Sequence, residues 1–308
     1  MSNTGLEIPS NKKYQKQKKK YRSKQKWVPW LFLSPALFII LLFVILPTLA
    51  GVLISFFRYD GISPIEFIGL RNYSLVLQDD LFFRSMWITL LFAFGSLVPT
   101  VVISLLLAVF LNQKWFSFTN LFRGIYFLPT VVSMVAISFV WMWLFNPQLG
   151  PLNPILGLFG ISPQQFLGDP NQALIILIII NVWKSVGFNM VIYLAGLQGI
   201  DQSLYEAARI DGAKPFQSFR YITWPMLTPV TFFVVAMLII NGFQVFDQIH
   251  IMTQGGPARS TYAIVYYIYQ KGFNETNFGY ASVLAVFLFV VILLFTLIAY
   301  KVNQKQEQ

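Results

Sequence analysis

The sequence contains no cysteine and a single histidine, His250, in 308 residues. Disulfides and thiolate metal sites are therefore excluded, as is any zinc site built on two histidines. Charge is also scarce. Only 11% of the residues are Asp, Glu, Lys or Arg and 56% are hydrophobic, whereas a soluble domain carries roughly 25% charged residues. No Gly-x-x-x-x-Gly-Lys-Ser/Thr phosphate cradle and no Gly-x-Ser-x-Gly nucleophile elbow occur, and one histidine leaves no material for a hydrolytic triad. The chain is expected to perform no covalent chemistry and to hold neither ATP nor a metal ion.

What is present is a series of long apolar runs. Six of them, over 30–56, 86–111, 124–145, 173–197, 226–246 and 280–300, approach the roughly 20 residues needed to cross a bilayer. They are continuously apolar rather than alternating, so helices are expected rather than barrel strands. The first run is far longer than the roughly 7 to 15 residues of a signal-peptide core, and it is expected to remain as an anchor. The fold expected is all-α: an integral membrane domain of six transmembrane helices.

The net charge of +10 is concentrated, with nine of the 22 basic residues between Lys12 and Lys26. Such a tail holds the adjoining segment on the cytoplasmic side and touches anionic headgroups. Nucleic-acid binding is not expected, because no folded platform for stacking bases accompanies the charge. With the N-terminus inside, the cytoplasmic segments hold 16 basic residues and the outer segments five. Both termini are thus expected in the cytoplasm, with a basic tail over 1–26, the membrane domain over 27–301 and a short tail over 302–308. Outer loops carry turn formers, and Ile155, Leu156, Leu158 and Phe159 suggest a short interfacial helix there.

The least membrane-like stretch between spans is 199–225. Ser203 to Ile210 are mostly good helix formers, Asp201 or Ser203 can cap them, Gly212 supplies a stop, and Pro215 suits the first position of a second helix. Within it, Glu206, Ala207, Ala208, Gly212, Ile222 and Pro225 follow a fixed spacing, with Trp224 before the proline. This pattern resembles the EAA loop of binding-protein-dependent ABC transporter permeases, where leucine occupies the Trp224 position. Residues 67–73 and 247–257 extend the resemblance to the sugar-permease branch, in particular the maltose and glycerol-phosphate type subunit that pairs with a shorter sister.

The resemblance implies a type I ABC importer permease in the bacterial inner membrane. It implies as partners a sister permease, two ATPase subunits that carry ATP and magnesium, and an extracytoplasmic solute-binding protein, with no cofactor on this chain. The coupling loop would act through Glu206, Ala207, Ala208, Arg209, Asp211, Gly212, Ile222 and Pro225. In it Glu206 and Arg209 offer charged contacts, the two alanines allow close approach, and Pro225 is expected to break the loop from the fifth span. An ion-coupled secondary transporter is the rival reading.

Polar residues inside the fourth and fifth runs mark a candidate pathway. Lys184 would cost about 2.5–3.5 kcal/mol at mid-bilayer. With Asn181, Ser185 and Asn189 it forms one side of a helix, and Asn241 and Gln244 form a second polar pair. A watery, substrate-lining cavity, helix-to-helix hydrogen bonds, or an ion pair between Lys184 and Asp247 would each account for them. Phe188 adds an aromatic face against which a sugar can stack. Lys184 also admits a phosphorylated or acidic sugar derivative. Gly255, Gly256 and Pro257 are expected in an outer turn, either as a contact for the binding protein or as a simple chain reversal. His250 is expected to be an interfacial packing residue.

Overall fold

The structure, a computed structural model, describes residues 28–113 and 118–306. The basic tail over 1–26 lies outside the described residues. The chain forms two compact units, 1–54 and 55–308. In the first, helix α1 (Pro29–Ile54) is long and apolar enough to cross a membrane. It carries a π-helical turn at Leu41–Ile45, and its large apolar side chains are exposed.

The second unit opens with a small antiparallel ladder, β1 (Phe57–Arg58) on β2 (Glu66–Phe67), pairing Phe57 with Phe67. After it come α2 (Arg71–Leu77) and the long α3 (Asp80–Leu111). Asp79 caps α3, its carboxylate accepting from the Leu81 backbone N–H at 2.9 Å, which satisfies one of the unpaired donors of a helix start. Short α6 (Leu152–Leu158) occupies the expected position of the interfacial helix.

The run over 124–145 is not one straight helix. It is divided into α4 (Thr119–Val131) and α5 (Met134–Leu144), which meet at 96°. Pro129 removes a backbone donor from the last turn of α4, and Val132 is extended, with φ −77° and ψ 137°. The described residues thus hold five span-length helices, or six if α4 and α5 are counted as one broken span.

Helix α7 (Ala173–Gln198) is the centre of the unit, with α3 and α4 packed along it. A Cβ at Gly187 would lie 1.8 Å from the carbonyl oxygen of Tyr126, so only glycine lets α4 come this close. Ser104 of α3 donates to the Val186 carbonyl at 3.0 Å beside it. Beyond the 199–225 loop follow α10 (Thr228–Phe243), α11 (Asp247–Met252), α12 (Ile264–Tyr269) and α13 (Phe278–Gln306). Residues 302–306 of the expected tail therefore continue the last helix.

Apolar clusters hold these helices together. One contains Ala108, Met190, Tyr193, Leu194, Leu227 and Val234, and Tyr205, Phe219, Ile222 and Trp224 of the loop pack against it. Another joins Phe82, Phe243, Tyr267, Val283 and Leu284. At the edge of that second cluster the Asp79 carboxylate accepts hydrogen bonds from the hydroxyls of both Tyr267 and Tyr280.

Candidate transport site

The 199–225 loop folds as an elbow. Its first arm is α8 (Gln202–Ile210), capped by the Asp201 carboxylate, which accepts from the Ser203 N–H at 2.9 Å. Its end is a Schellman closure: Ala213 N–H donates to the Ala208 carbonyl at 2.9 Å and Gly212 N–H to the Arg209 carbonyl at 3.1 Å. That closure places Gly212 at φ +75°, where glycine carries no Cβ penalty. The second arm, α9 (Pro215–Ser218), opens with proline at its first position.

Glu206, Ala207, Arg209, Asp211 and Gly212 are all exposed on the elbow, while Ala208 is half-buried. The tip also shows apolar surface, with Ile210 87%, Phe216 76% and Tyr221 75% exposed. The base is fixed: Ile222 packs on the cluster around Leu227, and the Tyr205 and Thr223 hydroxyls lie 2.9 Å apart.

Pro225 does not interrupt the chain as expected. A π-helical turn over Phe219–Thr223 leads into helical Trp224–Met226, and Leu227 N–H donates to the Thr223 carbonyl at 3.0 Å. Proline stands within this helical run, directly after the π-helical turn, where the ladder is locally rearranged and tolerates a missing N–H. One turn residue, Leu227, then separates this segment from α10. The second arm is thus nearly continuous with the fifth span.

Between α7, α10 and the α4–α5 break lies a cavity of about 400 Å³. The structure brings Asn181, Lys184, Ser185, Phe188, Asn189, Asn241 and Gln244 together around it. Asn189 is partly engaged, its amide donating one hydrogen bond to the Ser185 carbonyl at 2.9 Å. Lys184 and Asp247 share the wall, but no ion pair joins them. The Lys184 ammonium donates instead to the Val132 carbonyl at 3.0 Å, and Thr130 Oγ1 donates to the Lys184 carbonyl at 3.2 Å. The break in the third span is thereby tied to the fourth.

The sequence reading did not anticipate Thr130, Met134, Met237, Phe246 and Gln248 in the same wall. Gln248 stands beyond the break between α10 and α11, so helical spacing from Asn241 and Gln244 does not account for its place. Thr130 and Met134 had no legible signal either, because their places depend on the bend.

Gly255–Pro257 forms a turn at the other end of α10 from the elbow. Thr261 Oγ1 donates to the Gly256 carbonyl at 2.7 Å, and Arg84 Nη2 donates to the Ala258 carbonyl at 2.8 Å. Gly255 is buried against Tyr262, so the turn presents Gln254, Ala258 and Arg259 outward instead. His250 stacks on Phe246 at 5.1 Å between ring centroids, as a packing residue would.

A helical membrane unit with a polar cavity between two spans, and an exposed elbow joining the same two spans, defines a transport-type membrane protein. Residues 74–308 match the family of binding-protein-dependent transport system inner membrane components, and the chain belongs to that family. It is 35% identical to the trehalose/maltose transport system permease protein MalF of Thermococcus litoralis, covering 93% of this chain and 96% of that one. It is 33% identical to the arabinooligosaccharides transport system permease protein AraP of Bacillus subtilis, covering 91% and 89%. Among solved structures, a bacterial ABC transporter that imports the acidic polysaccharide alginate matches with a TM-score of 0.80 at 26% identity, over 92% of this chain and 96% of that one.

Proposed function

We infer that this chain is the sugar-conducting permease subunit of an ATP-driven importer, working with a sister permease, two ATPase subunits and an extracytoplasmic binding protein. Relatives named for trehalose/maltose and arabinooligosaccharides support the sugar assignment. One observation carries the mechanism: the helices that wall the cavity, α7 and α10, are those joined by the elbow. A force applied at the exposed tip therefore has a short path to the cavity.

The residues divide the work accordingly. Glu206, Arg209 and Asp211 supply charged contacts for a docked ATPase, and Ala207 and Ala208 let it approach. The Gly212 closure keeps the two arms in one shape, and the second arm, running through Pro225 into α10, passes displacement to Asn241 and Gln244. Alternating access follows if closure of the ATPase pair tilts α10 against α7. On this reading both termini are cytoplasmic, the basic tail lies against the inner leaflet, and the Gly255–Pro257 turn faces the binding protein.

The test is uptake into proteoliposomes containing the whole complex and binding protein. Uptake should require ATP and survive a protonophore. Gly212→Pro should abolish uptake while ATP hydrolysis and membrane insertion persist. Uptake that continues without the ATPase, or that collapses with the proton gradient at constant ATP, rejects this reading in favour of ion coupling.

A further inference from the structure

Gln248 is 2% exposed, belongs to the cavity wall, and has no hydrogen-bond partner for either polar atom of its carboxamide. A buried amide with two orphaned ends is a costly arrangement unless something arrives to pair with it. A carboxamide offers one acceptor and two donors from a planar group, which suits a pair of neighbouring sugar hydroxyls, each both donor and acceptor. The wall also includes polar Asn241 and Gln244 and aromatic Phe188 and Phe246.

The charges in the cavity give the second half of the argument. Lys184 is its cation, and its ammonium is already engaged by the Val132 carbonyl at 3.0 Å. Asp247, next in sequence to Gln248, is its anion and is exposed. The cavity thus carries one charge of each sign, and the two interact, so a ligand charge of either sign meets a like charge as well as an opposite one. An uncharged ligand meets no such repulsion.

We propose that Gln248 is a specificity-determining contact of the cavity, and that the carbohydrate it reads carries no net charge. Asp247 then acts as the element that turns uronic acids and sugar phosphates away. This deepens the reading of the cavity as the carbohydrate site and rests on it.

The experiment is equilibrium binding of radiolabelled sugars to the purified membrane complex, with the binding protein omitted so that selectivity belongs to the cavity. The probes are neutral mono-, di- and trisaccharides, acetamido sugars included, together with uronic-acid and phosphorylated counterparts. Wild type should bind neutral members and reject the charged ones. Gln248→Leu should weaken neutral-sugar binding by about 10-fold, with Gln248→Asn recovering part of the loss. Asp247→Asn should admit the uronic acids.

Preference of wild type for anionic sugars, or an unchanged dissociation constant in Gln248→Leu, overturns the proposal and leaves the transport reading standing. Loss of subunit assembly in both Gln248 variants assigns the amide to a subunit contact and overturns it equally. If no sugar binds wild type, the carbohydrate reading of the cavity fails along with it.

Discussion

The hydroxyls of Tyr205 and Thr223 lie 2.9 Å apart, fastening the first arm of the elbow to the π-helical turn that ends the second. The bond spans 18 residues of chain, and Thr223 is buried. It makes the elbow one body rather than two short helices on a hinge.

Tyr205→Phe should remove this bond at a local cost of about 1 kcal/mol. Amide hydrogen exchange over 219–224 should then quicken, and transport per ATP hydrolysed should fall while membrane insertion is kept. Exchange and stoichiometry identical to wild type would show that the clasp does not hold the arms.

Gly187→Val tests the close approach of α4 to α7. A Cβ there would overlap the Tyr126 carbonyl at 1.8 Å, so α4 has to move outward, at a cost of about 3 kcal/mol or more. Thermal unfolding of the purified protein should shift downward, with larger loss than for Gly51→Val, whose surroundings are open within 4 Å. Equal shifts for the two variants would contradict the packing described.

Asp79 gives a pH prediction. Burial opposes its charged form, but hydrogen bonds from Tyr267 and Tyr280, the Leu81 N–H and the nearby Lys271 charge outweigh it and hold the carboxyl below its ordinary value of 3.8. A carboxyl depressed in the folded state adds stability above its unfolded pKa, and that stability is lost as pH falls through the folded value. Stability should therefore be flat with respect to this group near neutrality and decline below about pH 4. Asp79→Asn should be less stable at neutral pH and lose part of the acid-side decline. An unchanged acid limb in that variant would remove Asp79 from the account.

How far the sequence could be read depends on range. Spans were legible because a long apolar run needs no knowledge of its neighbours, and the elbow because Asp201, Gly212 and Pro215 act within a few residues of themselves. The polar stripe on α7 was legible by helical spacing alone. The bend after Pro129 was less so, since a proline in an apolar run either kinks or is absorbed according to what packs beside it. Pro225 shows the other outcome, absorbed because a π-helical turn directly precedes it. The partner of Lys184 was hidden for the same reason: its acceptor, Val132, becomes available only once the third span has broken.

That break has a consequence for where the molecule can live. Backbone groups stripped of helical partners are not tolerated against acyl chains, and Val131, Val132 and Ser133 are all exposed on this chain by itself. Two carbonyls of the three are answered from within, that of Val132 by the Lys184 ammonium of α7 and that of Ser133 by the Ile137 N–H. The remaining flank demands either moisture or a neighbouring polypeptide, so a solitary copy dissolved in oil would be an incomplete object.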